Sequence, residues 1–182
     1  MLLKGLYREE NADKHTRSPR ALGYDARVHS GFPWGRPKAR EAVMYELIAE
    51  GHFDSAHFLH GYNGKCENLH GHRWRVVATF SSDGLVADGD MRDMVMDFSV
   101  AKHAVAEVCD SLDHTLLVEE GTLAPATVEA LEAETFSLTM LPFRTTAENL
   151  ACHVFERLAA EGLPVVAVEV DETPNNRAVY RP

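Results

Sequence analysis

FDSAHFLHGYNGKCENLHGHRWRVVATFS, residues 53–81, holds four histidines and one cysteine in a pattern that decides the reading of the chain. The segment that contains FDSAH, residues 44–59, reads as a β-strand. HGHRWRVVATFS at 70–81 reads as a second, because it is rich in β-branched and aromatic residues. Gly61-Tyr62-Asn63-Gly64 between them is turn chemistry. On a strand, residues two apart share a face, so His70 and His72 both reach one metal ion, and His57 on the neighbouring strand supplies a third imidazole. Three neutral nitrogens leave the fourth tetrahedral position open, which is how a catalytic zinc site differs from a closed structural one. Cys66, left out of the ligand set, then reads as a reactive thiol, and the chain as a zinc enzyme.

Working outward, Met94-Val95-Met96-Asp97-Phe98 reads as a short extended lead into a helix. Ala101, Ala104, Val105, Val108 and Leu112 give that helix one buried face. Thr145-Thr146-Ala147-Glu148 has the pattern of a capping box at the start of a second helix, with Glu148 bonding back to the helix start. Leu150, Ala151, Val154, Phe155 and Leu158 form its stripe and Gly162 ends it. Val165–Val170 and Ala178–Tyr180 read as two more strands, while residues 118–137 fit no clear element. The expected order is β-β-α-α-β-β: an α+β fold with one antiparallel four-stranded sheet and both helices on one face. Such a sheet leaves open edges and a wide bare surface, so a homo-oligomer is expected.

Residues 1–43 differ in character. They carry 9 Lys/Arg against 5 Asp/Glu, with Pro19, Pro33 and Pro37 and no apolar period, and are expected to be a loosely structured extension. Residues 44–182 carry 9 against 23 and form the expected domain. An acidic body argues against general nucleic-acid binding, which needs basic surface, but leaves room for a small phosphorylated substrate. No apolar run is long enough to span a bilayer. Cys66, Cys109 and Cys152 are odd in number and far apart, which argues against a disulfide framework and for a reducing cytoplasm.

The chain resembles the family of 6-pyruvoyl- and 6-carboxy-tetrahydropterin synthases over about residues 44–182. Six motifs in order carry the likeness: Phe53-Asp54-Ser55-Ala56-His57; Cys66 with His70-Gly71-His72; Val95-Met96-Asp97-Phe98; Leu112-Asp113-His114; Thr146-Ala147-Glu148-Asn149; and Glu172-Thr173-Pro174-Asn175-Asn176. The three residues between Cys66 and the His-Gly-His triplet look like the bacterial carboxy-forming enzymes of queuosine (7-deazapurine) synthesis. The animal pyruvoyl-forming enzymes have a longer gap.

The resemblance implies the tunnelling fold, in which protomer sheets join into a barrel as trimers or hexamers. It implies dihydroneopterin triphosphate as substrate, with 6-carboxytetrahydropterin, acetaldehyde and triphosphate as products. The alternative is 6-pyruvoyl-tetrahydropterin, formed without loss of acetaldehyde. By the same likeness Zn2+ sits on His57, His70 and His72, Cys66 is the general base, and Asp113 with His114 is its acid/base partner, supplied by a neighbouring subunit. Glu172 anchors the pterin ring, with Thr145, Thr146 and Glu148 as further candidates for that pocket. Lys65, Arg73, Arg75, Arg144 and Arg177 are the cations available for the triphosphate, and nothing in the sequence chooses among them.

Overall fold

The computed structural model describes residues 44–182, and the expected extension over 1–43 lies outside the described residues. Strands β1 (Tyr45–His57) and β2 (His70–Ser82) pair antiparallel over their full lengths, from Tyr45 opposite Ser82 to His57 opposite His70. β5 (Val165–Thr173) continues the antiparallel pairing on β2, and β6 (Asn176–Tyr180) closes that side.

The sheet has six strands, not the expected four, and it is not wholly antiparallel. Two short strands, β3 (Leu116–Glu119) and β4 (Leu138–Leu141), extend it on the far side of β1, each parallel to its neighbour, in the order β4-β3-β1-β2-β5-β6. A nine-residue helix, α2 (Pro125–Ala133), joins them, so the described residues form three α-helices rather than two.

One sheet face is the core face. Leu47, Ala49, Phe53, Trp74, Val76, Ala78 and Phe80 are buried, and they alternate along β1 and β2 with more exposed residues. Helix α1 (Phe98–Asp110) covers β1, and α3 (Ala147–Ala160) covers β5 and β6. Each buries most of the stripe expected of it: Ala101, Ala104, Val105 and Val108 from α1, with Leu112 buried just past its end, and Leu150, Ala151, Val154 and Leu158 from α3, with Phe155 only half-buried. The approach of α1 to β1 requires Gly51, where a Cβ would lie 2.8 Å from Cys109 Sγ and 2.9 Å from Val105 Cγ1. Cys109 is thus a packing residue, and burial pushes its thiol up to about 12.

Both helix starts are capped by side chains. Asp97 accepts from the Ser99 amide at 2.7 Å, so Phe98, read from the sequence as extended, is the first helical residue. At α3 the cap is Thr146, which accepts from the Asn149 amide. The third helical position is therefore Asn149 and not Glu148, and the expected capping box is absent because the neighbouring Thr145 is buried and bonded elsewhere. Among the described residues no helix covers the opposite sheet face over β1, β2, β5 and β6. There Arg75 bonds Glu50 and Asp171, and Arg177 bonds Glu169.

Candidate metal centre and acid/base site

At one end of the core face, β1 and β2 bring their last and first residues together. Because His57 faces His70 directly and Ser55 faces His72, all three imidazoles project to the same side. Ring centroids lie 4.4 Å (His57–His70), 5.2 Å (His57–His72) and 4.9 Å (His70–His72) apart. Gly71 between the paired histidines lies close to β1, where a Cβ would stand 3.2 Å from the Ser55 carbonyl oxygen. Trp74 meets His57 and His72 edge-on at 5.0 and 5.2 Å and walls the cluster with apolar surface.

The hydrogen bonds fix which nitrogen points inward. His57 Nδ1 is 2.9 Å from the Thr145 carbonyl oxygen and His70 Nδ1 is 2.7 Å from that of Asn68. A carbonyl only accepts, so both Nδ1 atoms carry the proton and both Nε2 atoms present lone pairs. Those two Nε2 atoms are 3.1 Å apart. His72 Nε2 is buried without a hydrogen-bond partner. Glu172 Oε1 stands 3.6 Å from the Nε2 of both His57 and His72.

Lone pairs and a carboxylate gathered this closely repel one another unless a cation lies among them, and the four ligand atoms do lie within 4.8 Å of one another. Burial, reinforced by the neighbouring imidazoles and opposed by the Thr145 carbonyl, pushes His57 down to about 4. Burial also lowers His72, against the pull of Glu172. Both are therefore neutral at pH 7, the form that binds a metal. The donor set fits a borderline-soft divalent ion with imidazole preference, zinc foremost.

The remaining residues fall into two groups. Cys66 lies in a short 3-10 turn, Lys65–Glu67, in the loop between β1 and β2, half-buried and outside the metal group. Its carbonyl accepts from the Leu59 amide at 2.8 Å, and Asn68, two residues on, bonds His70. Thr145 is fully buried: its carbonyl orients His57 and its hydroxyl donates to the Phe58 carbonyl at 3.2 Å. Thr146 is the cap of α3, and Glu148 is exposed on that helix's first turn.

Asp113 and His114 form a separate unit. His114 Nδ1 donates to Asp113 Oδ2 at 2.6 Å, and the other Asp113 oxygen accepts from the Asp54 amide at 2.7 Å. The Asp54 amide and then His114 hold the Asp113 carboxyl below the usual carboxylate range, while Asp113 raises His114. The His114 backbone is left-handed (φ 52°), a strained conformation for a residue with a side chain. Its amide bonds the Asp54 carbonyl at 2.7 Å and pins it there. His114 lines an open groove of about 650 Å³ together with Asp54, Ala56, Gly71, Arg73 and Phe136. Along β1 and β2, Asp54, Ala56 and Arg73 alternate with the metal-directed histidines, while Ser55 and His72 also line the groove, so it reaches from the outer sheet face to the edge of the cluster.

Sequence reasoning missed Glu172 as a neighbour of all the metal-directed nitrogens, and the Thr145 and Asn68 carbonyls as the groups that orient His57 and His70. A backbone acceptor leaves no mark in a sequence. The position of Thr145 beside a matched motif was the one available signal.

A six-stranded α+β sheet with a three-histidine centre at the mouth of its first hairpin defines a metal-dependent enzyme class. The chain belongs to the 6-pyruvoyl tetrahydropterin synthase family, whose sequence model matches residues 46–182. It is 36% identical over 141 residues to a 6-carboxy-5,6,7,8-tetrahydropterin synthase of Haemophilus influenzae, covering 76% of this chain and 99% of that one. It is 34% identical over 140 residues to the protein of that name from Synechocystis, covering 75% and 93%. In structure it is similar to a 6-pyruvoyl tetrahydropterin synthase of Plasmodium vivax, with TM-score 0.56 and 22% identity over 77% of this chain and 98% of that one. The fold is thus the tunnelling fold expected from the sequence, widened by β3 and β4. Among the described residues no helix is long and apolar enough to cross a membrane.

Proposed function

We propose that this chain is a zinc-dependent 6-carboxy-5,6,7,8-tetrahydropterin synthase, a lyase that converts 7,8-dihydroneopterin triphosphate to 6-carboxytetrahydropterin, acetaldehyde and triphosphate for queuosine synthesis. The observation that carries the reading is the convergence of His57, His70 and His72 on one point with their Nε2 lone pairs unsatisfied. The carboxy-forming activity is preferred because relatives at 36% and 34% identity bear that name. The pyruvoyl-forming activity is the alternative because the family's sequence model bears that one.

In this reading His57, His70 and His72 hold the zinc, and Trp74 keeps their surroundings dry. Bound there, zinc supplies Lewis-acid polarisation of the substrate's side-chain oxygens, which acidifies the adjacent C–H bonds. Cys66 Sγ takes a side-chain proton. His114 exchanges protons through Nε2, because its Nδ1–H is committed to Asp113, and Asp113 fixes that tautomer. Glu172 would hold the pterin edge by accepting from a ring N–H and the exocyclic amino group; its Oε1 lies 3.6 Å from the Nε2 atoms of His57 and His72. Thr145 acts on His57 through its carbonyl, and Thr146 and Glu148, the cap and first turn of α3, are further candidates for the pterin pocket.

His114 is 81% exposed and lines a groove that runs from the outer sheet face to the edge of the cluster at His72, which supports a site completed by a second copy. Leu69 and Phe136, also lining that groove, are 64% and 62% exposed and suit burial against that copy. A cytoplasmic homo-oligomer, a trimer or hexamer of the 44–182 domain with residues 1–43 as an appendage, completes the reading.

The test is incubation of the zinc-loaded protein with dihydroneopterin triphosphate, following products by mass spectrometry. Acetaldehyde with 6-carboxytetrahydropterin is the expected result. A 6-pyruvoyl product without acetaldehyde would move the chain to the alternative.

A further inference from the structure

Arg144 is the cation whose contacts the reaction described above leaves unexplained. Its Nη2 donates to the His60 carbonyl at 2.8 Å, and its guanidinium carbon lies 5.8 Å from the centre of the Tyr62 ring. Its Nε is buried and unpaired, and no carboxylate among the described residues forms an ion pair with it. Arg75 and Arg177, by contrast, are spent on the acidic residues of the open sheet face.

Both of Arg144's contacts are on the loop that carries Cys66. The Tyr62 ring in turn lies against Gly64, where a Cβ would come 2.6 Å from ring Cε1, so a side chain there would displace it. Gly64 begins the turn that holds Cys66, through the bond from the Glu67 amide to the Gly64 carbonyl at 3.1 Å. At its other end Arg144 is fixed to the start of α3: its carbonyl accepts from the Thr146 amide at 2.8 Å and from Asn149 Nδ2 at 2.9 Å. The next residue, Thr145, holds His57 and Phe58. Residues 144 and 145 therefore stitch one helix start to positions 57, 58, 60 and 62. Thr145 sets the metal end of this loop and Arg144 its far side.

We infer that Arg144 is a positioning residue for the Cys66 thiol, acting through the His60 carbonyl and the Tyr62 ring. The inference rests on the assignment of Cys66 as the base. A planar guanidinium suits the task because it donates to a carbonyl in its own plane while presenting a face to an aromatic ring. A misplacement of about 1 Å in such a loop is enough to lower turnover about 100-fold without altering what the site binds.

The test compares the full-length zinc protein with Arg144→Gln, Arg144→Lys and Tyr62→Ala. Tyr62 is 45% exposed, so its removal leaves the core intact if Arg144→Gln fails to fold. Three quantities are read: zinc per chain, hydrogen exchange of the 59–67 amides, and kcat with KM on dihydroneopterin triphosphate. The expected result is unchanged zinc, faster exchange at Leu59 and Tyr62, and kcat lowered about 10- to 100-fold with KM held. Arg144→Lys recovers part of kcat because it keeps one donor for the His60 carbonyl. A raised KM with kcat and exchange unchanged would overturn the inference and make Arg144 a direct contact of the substrate's phosphates. Unchanged values throughout would make it a surface charge. If the wild type does not turn the substrate over, the function proposed above fails. The loop inference is then decided by exchange and by the iodoacetamide alkylation rate of Cys66, which rises in the variants if it holds and stays constant if it does not.

Discussion

The two halves of the site are built in opposite ways. The metal half stands on the two longest strands, with His57 fully buried, its imidazoles oriented by the Thr145 and Asn68 carbonyls and backed by Trp74. The proposed acid/base half lies in the five-residue connection 111–115 between α1 and β3, with His114 81% exposed, held to β1 by the Asp54 amide and carbonyl. Ligands for a metal must be neutral, fixed and dry, which a buried strand pair supplies. A proton carrier must meet substrate, which an exposed histidine can do, and the carboxylate beside it favours the imidazolium. The difference is what the proposed division predicts: a metal half gathered within one chain and a relay half exposed to a second copy.

Replacing a metal-directed histidine should have the largest effect. His57→Ala removes a ligand and opens a cavity beside Trp74, so zinc per chain measured by elemental analysis should fall to near zero and activity with it. Cys66→Ala should keep full zinc yet lose about 10²- to 10⁴-fold in kcat, the range of a lost general base. Retained turnover in that variant would remove the thiol from the chemistry.

Asp113→Asn should leave zinc unchanged and lower kcat about 100-fold by releasing the His114 tautomer. It should also lower the His114 pKa toward the ordinary value of about 6.5, as followed by its ring proton in NMR titration. The sign follows from the pair: Asp113 favours the imidazolium, so its loss favours the neutral ring.

Removing the metal exposes a pH dependence specific to the buried half. His57 is neutral in the fold down to about pH 4, whereas in the unfolded chain it protonates near 6.5. A depressed folded pKa gives stability that is present above the unfolded value and lost as pH falls. The apoprotein should therefore weaken between about pH 6.5 and 4, by at most about 3 kcal/mol, and denaturant midpoints across that window would measure it. The smallest effect is expected from Thr145→Val, which loses the hydroxyl bond to Phe58 but keeps the carbonyl that orients His57. It should cost about 1–3 kcal/mol of stability while zinc is retained.

The metal half was also the more legible in sequence. His70 and His72 are two apart in a run of β-branched and aromatic residues, and strand alternation alone places them on one side. The helical stripes of α1 and α3 were readable because their apolar spacing is regular. β3 and β4 were not, since four residues are too few to display a period, and α2 buries no residue and so has no stripe to show. Two adjacent threonines concealed the start of α3 by one position, because Thr145 is buried and bonded to Phe58 while Thr146 takes the cap. The place of Asp113 and His114 against β1 depends on contacts between β1 and a loop 59 residues further along the chain, which no local pattern encodes.

The division of the site between copies is tested most directly by co-expressing Cys66→Ala with His114→Ala, each inactive alone. If one chain supplies the thiol and metal and another the relay, random assembly yields intact sites, and about a quarter of wild-type activity should return. No recovery in oligomers shown to contain both variants would place thiol and relay in the same chain and contradict the account.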